Sequence, residues 1–97
     1  MPTYIYRGTI DASRREERER LRAEHLAYQA TLTDLAGGPL TDEDGNATGS
    51  LIIFEAPDRA AAEARIAADP FVVHGVVGEW TLDVFDAVWL SIIDTSS

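Results

Sequence analysis

The chain contains neither cysteine nor lysine. Without cysteine there are no disulfides, thiolate nucleophiles, iron–sulfur clusters or cysteine-bound zinc. Without lysine there is no Schiff-base chemistry on the protein, since all eight basic residues are arginines. The side chains that remain for catalysis are two histidines, carboxylates, hydroxyls and arginines.

Long apolar runs are also missing. The longest ones fall far short of the roughly 20 residues that a membrane-spanning helix needs. The first residues do not show a basic segment followed by an apolar one, which is the pattern of a secretory signal. We therefore expect a cytoplasmic protein with no membrane partner.

The acidic segment after residue 40 fails as a calcium site. Asp42, Asp44 and Asn46 occupy positions 1, 3 and 5 of a calcium-binding loop, but the glycine and the bidentate glutamate that such a loop requires are replaced by Ala47 and Ile53. No zinc spacing and no phosphate-binding glycine loop is present either. We expect neither a metal nor a cofactor.

Negative charge dominates the chain, with a formal net charge of −9. Residues 1–34 hold six arginines and six acidic residues, so the remaining 63 residues, with two arginines and eleven acidic residues, carry the whole excess. Nucleic-acid binding relies on a basic surface that neutralises phosphates. We therefore expect no nucleic-acid partner.

With 97 residues, 45% of them hydrophobic and 26% charged, the chain has the composition of one globular domain over residues 1–97. Residues 4–10 are rich in aromatic and β-branched side chains and predict a strand. A capping box formed by Ser13 and Glu16 predicts a helix start. The stripe of Leu21, His25, Tyr28, Leu32 and Leu35 extends this helix to the Gly37-Gly38-Pro39 stop.

The second half predicts a hairpin with its turn at Asp44-Gly45, entered by a short strand at 39–41 and left by a strand at 51–54. Asp58 caps an alanine-rich helix, and Asp69-Pro70 ends that helix and begins a short turn. A last strand covers 79–89, and an apolar extension covers about 90–97. The order β-α-β-β-α-β predicts a ferredoxin-like α+β fold, a four-stranded antiparallel sheet with two helices on one face.

Both faces of two predicted strands are apolar. Leu51 and Ile53 alternate with Ile52 and Phe54, and Trp80, Leu82 and Val84 with Phe85, Ala87 and Trp89. Two helices cover only one face of such a sheet. We therefore expect a homodimer joined through the sheet faces.

His25 is the first candidate for chemistry because it lies in the apolar stripe of the first helix and an unperturbed imidazole titrates near pH 6.5. A catalytic imidazole needs a group that holds its other nitrogen. Asp69 is a candidate for that group, although an aspartate before proline is also an ordinary helix cap. His74 has no carboxylate at a recognisable interval, and we expect it on the surface or at a dimer contact.

Four segments in this order and spacing resemble the YCII-related (YciI-like) family: Arg22-Ala-Glu-His25-Leu-Ala-Tyr28, Gly38-Pro39-Leu40, Gly49-Ser50-Leu-Ile-Ile53 and Ala68-Asp69-Pro70-Phe71. The resemblance covers about residues 4–88. It implies a dimeric α/β barrel of ferredoxin-like subunits with an active site that contains a His-Asp pair, here His25 and Asp69. It further implies contacts to a small-molecule substrate from Arg22, Pro39, Ser50 and Phe71.

Two functions follow as hypotheses. The first is a small cofactor-independent enzyme, a lyase or isomerase, in which His25 transfers a proton and Asp69 fixes and stabilises the imidazole. The second is a non-catalytic dimeric ligand-binding or accessory module in which the same two residues form a structural pair. A monooxygenase or haem-binding role rests on fold analogy alone. An enzyme requires the pair on the wall of an open cavity.

Overall fold

A computed structural model describes residues 1–88 of the chain. The predicted extension at 90–97 and Trp89 lie outside the described residues. The elements are β1 (Thr3–Ile10), a 3-10 turn (Ala12–Arg14), α1 (Arg15–Ala30), β2 (Asp34–Thr41), β3 (Ala47–Glu55), α2 (Arg59–Ala67), α3 (Pro70–Val73) and β4 (Val77–Val84).

The four strands form one antiparallel sheet in the order β2-β3-β1-β4. The helices pack on one face of it, so the predicted ferredoxin-like α+β architecture is confirmed. None of the helices in residues 1–88 has the length and apolar character to cross a membrane.

The core lies between the helices and the inward face of the sheet. Alternation along β1 buries Tyr4 and Tyr6 under the helices, as the period of two in a strand requires. Ala62 and Ile66 of α2 are buried against this face, and the small alanine lets the helix lie close to the strands. The larger of two buried clusters consists of Tyr4, Tyr6, Ile52, Phe54, Ala56, Ala62, Ile66 and Leu82.

The first helix is shorter than predicted. It ends at Ala30, and the Gly37-Gly38-Pro39 segment lies inside β2 instead of stopping the helix. Leu32 and Leu35, counted in the apolar stripe, therefore lie beyond the helix. Backbone pairing of residues 34–41 with β3 overrides the helical spacing of these leucines. Pro39 is tolerated because β2 is an edge strand, where a missing N–H costs little.

The start of the first helix also differs from the prediction. Asp11 caps the 3-10 turn before α1: its carboxylate accepts hydrogen bonds from the Ser13 amide at 3.0 Å and from Ser13 Oγ at 2.7 Å. These bonds lower the pKa of Asp11. The N-cap residue of α1 itself is Arg14, whose side chain makes no capping hydrogen bond. Because the Ser13 side chain binds backward to Asp11, the predicted capping box with Glu16 does not form, and a 3-10 turn precedes α1.

The strand after the hairpin is longer than predicted and the last strand is shorter. β3 covers Ala47–Glu55, whereas β4 ends at Val84. Tyr4 of β1 pairs with Val84, so β1 offers almost no further backbone on which β4 can continue. The prediction of a second apolar face on this strand was wrong within the described residues, because Phe85 and Ala87 lie beyond the end of β4. Inside β4 the face opposite Trp80 and Leu82 carries Glu79, Thr81 and Asp83.

Three local predictions are confirmed. The hairpin turns at residues 42–46, with Gly45 at φ 84° and Asp42 accepting the backbone amides of Asp44 and Asn46 at 2.9 Å. Asp58 caps α2 through the Ala61 amide at 2.8 Å. Asp69 caps α3, whose first residue is proline.

Candidate functional site

A cavity of about 390 Å³ opens between α1 and the β2–β3 side of the sheet. One helix face supplies one wall, because Arg18, Arg22, His25 and Gln29 follow one another at intervals of four, three and four residues. The sheet supplies the other wall, mostly through backbone and small side chains, from residues 36–39 of β2 and from Gly49, Ser50 and Ile52 of β3. The volume matches a small organic molecule.

Glycines form part of this second wall, at Gly37, Gly38 and Gly49. Gly37 pairs with Ile52, and a Cβ at Gly37 would lie against the Ile52 side chain on the helix side of the sheet, so the glycine leaves that part of the cavity open. At Gly49 a Cβ atom would stand 2.6 Å from the Gly8 carbonyl oxygen, so the close approach of β1 and β3 requires glycine there. The Gly37-Gly38-Pro39 segment, which the sequence predicts as a helix stop, thus forms part of a cavity wall.

His25 and Asp69 meet at the edge of the cavity although 44 residues separate them in the chain. The imidazole Nδ1 lies 2.8 Å from Asp69 Oδ1. The histidine side chain is 16% exposed and the aspartate 7%. His25 lines the cavity, whereas Asp69 lies behind it. Within residues 1–88 the second ring nitrogen, Nε2, has no hydrogen-bond partner.

Asp69 joins three parts of the site. Its Oδ1 also accepts the backbone amide of Phe71 at 2.8 Å, which caps α3, and its Oδ2 accepts Gln29 Nε2 at 2.8 Å. A buried carboxylate needs such donors because water is excluded from it. The aspartate is therefore a helix cap and the imidazole's partner at once.

Phe71 fixes the plane of the imidazole. Its ring stacks on His25 with the centroids 4.0 Å apart and the planes 7° from parallel. Phe71 itself is 5% exposed, so it offers little surface to a ligand. The guanidinium carbon of Arg18 lies 5.8 Å from the same ring centre. We read Phe71 mainly as a support for the imidazole.

One residue of the cavity lining, Asp34, takes part in an ion pair. Asp34, at the start of β2, bonds to Arg65 of α2, and the Arg65 guanidinium lies 4.1 Å from the centre of the Phe54 ring. Burial lowers the pKa of Arg65. Burial, with a smaller contribution from the charge of Asp69, raises the pKa of Tyr6 in the core below. The pair ties α2 to the cavity's edge strand.

The structure brings the sequence-predicted site residues to one place. Arg22, His25, Pro39, Ser50 and Phe71 line the cavity, and Asp69 contacts two of them. His74 is exposed at the end of α3 and lies apart from the cavity lining.

Sequence reasoning missed three further polar residues of the cavity. Arg18 and Gln29 lie seven residues before and four residues after His25, so helical spacing could have found them. Asp34 could not be found in this way, because the sequence placed it inside the predicted first helix.

Fold and cavity together define a small ferredoxin-like α+β protein with a pocket of small-molecule size beside its first helix. The family described as the YCII-related domain matches residues 1–86. The chain belongs to the YCII-related domain family.

Solved structures share the fold. The 5-chloro-2-hydroxyhydroquinone dehydrochlorinase of Burkholderia phenoliruptrix, in complex with 2,5-dihydroxybenzoquinone, is similar with a TM-score of 0.77 and 23% identity over 87% of this chain and 93% of that one. An antibiotic biosynthesis monooxygenase is similar with a TM-score of 0.54 and 25% identity over 91% of this chain and 99% of that one. Comparison with proteins of curated function gives no match.

Proposed function

We propose that this protein is a small enzyme that performs acid-base chemistry, an elimination or an isomerisation, on a small organic substrate bound in the α1 cavity. The observation that carries the proposal is the 2.8 Å contact between His25 Nδ1 and Asp69 Oδ1 at the wall of an open cavity. A pair that serves packing alone has no need of a cavity beside it.

The hydrogen bond assigns a role to each nitrogen of the ring. Asp69 accepts the proton on Nδ1, so Nε2 of the neutral imidazole is the basic nitrogen. Nε2 takes a proton from a substrate carbon, and the carboxylate stabilises the imidazolium that forms. In an elimination the electrons of the C–H bond form a new C=C bond, and the leaving group departs from the neighbouring carbon with the electron pair of the bond that held it. In an isomerisation the imidazolium returns the proton to another carbon.

The fold neighbours include one enzyme of this reaction type. The Burkholderia protein is named a dehydrochlorinase and was crystallised with a dihydroxybenzoquinone. At 23% identity the similarity shows a shared fold alone, and we use it only to choose the first compounds to test. Hydroxylated six-membered rings with and without chlorine are a suitable first panel, because they match the cavity in size.

We further propose that the working unit is a homodimer. The sheet face away from the helices carries a patch of half-buried aliphatic side chains, Ile5, Leu40, Leu51 and Ile53, over which residues 1–88 place no second layer. A second copy of the same sheet is a self-complementary cover for such a patch. The additional apolar surface buried in a dimer matters for a chain of this size, because a small domain buries only a limited fraction of its surface when it folds alone.

Proton transfer can be tested before the natural substrate is known. The panel is incubated with protein in D₂O, and NMR follows the entry of deuterium at ring carbons as well as chloride release from the chlorinated members. We expect exchange or elimination with the native chain. In His25→Asn the rate should fall about 100-fold or more, which is the usual contribution of a positioned general base.

The matched control is His74→Asn, since His74 is the second histidine and lies exposed outside the cavity lining. It should retain the native rate. Binding of panel members without exchange, at equal affinity in both variants, would contradict catalysis and favour the ligand-binding module.

A further inference from the structure

Two arginines stand on the α1 wall of the cavity with little to neutralise them. Arg18 and Arg22 lie on the same helix face as His25. Among residues 1–88 the ion-pair contact of Arg18 is to Glu19, at 3.5 Å, and Arg22 has none. Both arginines therefore keep donors for a ligand.

The two carboxylates near the cavity, Asp34 and Asp69, already have hydrogen-bond or ion-pair partners within the protein. Asp34 is paired with Arg65, and Asp69 accepts hydrogen bonds from His25, Gln29 and the amide of Phe71. The unpaired charge on the cavity wall is consequently positive, in a chain whose formal net charge is −9. A positive lining in an acidic protein concentrates anions at that one place.

Arg18 also has a donor without an acceptor. Its Nε is buried and has no hydrogen-bond partner within residues 1–88. A charged donor left unpaired away from water is costly, and native proteins rarely leave one unsatisfied. The side chain is held by the Phe71 ring, so its guanidinium is oriented before any ligand enters.

We propose that Arg18, assisted by Arg22, binds an anionic oxygen of the substrate, which makes the substrate an organic anion. The proposal rests on the proposed function in taking this cavity as the substrate site. The Arg18 guanidinium carbon and the His25 ring lie 5.8 and 4.0 Å from the same Phe71 ring centre. Because Arg18 and His25 also line the same cavity, one small ring compound bound there can place its anionic oxygen at the arginine and its reacting carbon at the imidazole.

The arginine also affects the chemical step. Removal of a proton from carbon leaves negative charge that spreads to the substrate's oxygen, and an oriented guanidinium stabilises it there. Arg18 thus contacts the substrate and selects for charge, whereas Phe71 positions the residues around it.

Two probes of equal size separate charge from shape. Benzoate and benzamide are titrated into the protein at pH 7 and low salt, with NMR shifts of the α1 amides as the readout. We expect the native chain to bind benzoate about tenfold or more tightly than benzamide, and Arg18→Gln to lose that preference while its benzamide affinity stays unchanged. Arg20→Gln is the matched control, because Arg20 is an exposed arginine of the same helix, paired with Glu17 and outside the cavity lining.

Equal binding of the two probes by the native chain overturns the proposal, and so does an Arg18→Gln variant that binds benzoate like Arg20→Gln. If Arg18→Gln does not fold, Arg22→Gln, at an exposed position, serves instead and must weaken benzoate binding by several-fold. His25→Asn distinguishes the two proposals: benzoate binding that persists in this variant supports the anion site whether or not the histidine proves catalytic.

Discussion

Replacing Asp69 by asparagine separates the charge of this side chain from its hydrogen-bond geometry. The asparagine oxygen can accept the same two donors as Oδ1, the ring of His25 and the amide of Phe71. Its NH₂ group would then face Gln29 Nε2, another donor. However, Gln29 Oε1 is buried and without a hydrogen-bond partner in residues 1–88. If the Gln29 side-chain amide rotates by 180°, its Oε1 can accept a hydrogen bond from the asparagine NH₂. Asp69→Asn therefore keeps every contact and loses only the charge.

The magnitudes separate stability from activity. Bonds to a charged group contribute roughly 1.5–3 kcal/mol and neutral ones about 1 kcal/mol, but the variant also avoids burying a carboxylate, and asparagine caps a helix as well as aspartate. We expect a stability loss of about 1 kcal/mol, which is roughly 4–8 °C in Tm for a domain of this size. Turnover should fall about 100-fold, because the imidazolium loses its counter-charge.

Thermal unfolding and deuterium exchange are measured on the same preparations. Asp58→Asn is the control, since Asp58 caps α2 by an equivalent bond to a backbone amide and lies outside the cavity lining. Equal activity of the two variants would refute the argument for Asp69 as a catalytic partner. A stability loss above about 3 kcal/mol would show that Gln29 does not rotate and that the charge itself holds the site together.

Phe71→Leu removes the ring that stacks on the imidazole, so kcat should fall more than KM rises, and an unchanged kcat would leave Phe71 with packing alone. Gly8→Ala places a Cβ against the buried Tyr6 hydroxyl and 2.7 Å from Val77 Cγ1, and should destabilise by about 1–3 kcal/mol in urea unfolding, whereas Gly78→Ala, with open space around it, should not. Ile53→Asp puts a charge on the uncovered sheet face and should shift light scattering from dimer to monomer, and a monomeric native chain would contradict the dimer.

The confirmed elements are those with signals inside a few residues. Asp58 before the alanine-rich run and Asp69 before Pro70 each fix a helix start through one side chain and one amide, and the structure shows both bonds. The strand at Thr3–Ile10 follows from its own composition. Such features need no knowledge of distant residues, because the partners lie within three positions of one another.

The sequence misplaces element boundaries where pairing with a strand distant in the chain determines the structure. Helical spacing carried α1 past Ala30, but residues 34–41 pair with β3, and no pattern within that segment reveals its partner. The end of β4 depends in the same way on where β1 begins. The sequence therefore predicted the order of elements and the fold, and misplaced the boundaries that the sheet register sets.

Some of the site residues can be identified from the sequence. His25 and Asp69 were paired through the family resemblance, because a separation of 44 residues carries no periodic signal. Arg18 and Gln29 were accessible by counting along the helix face from His25. The glycine-rich wall was not, since Gly37 and Gly38 were assigned to a helix end.

The shared oxygen of Asp69 explains why the site cannot be moved independently of the fold. Oδ1 lies within hydrogen-bond distance of the His25 imidazole and accepts the Phe71 amide, the first amide of α3. The ring of Phe71 stacks on the same imidazole. A rotation of the ring would break the carboxylate bond and the stacking together, and a shift of α3 would do the same. Ring orientation is therefore set by two contacts with one short helix, so variants of Phe71 and Asp69 should show non-additive losses of activity.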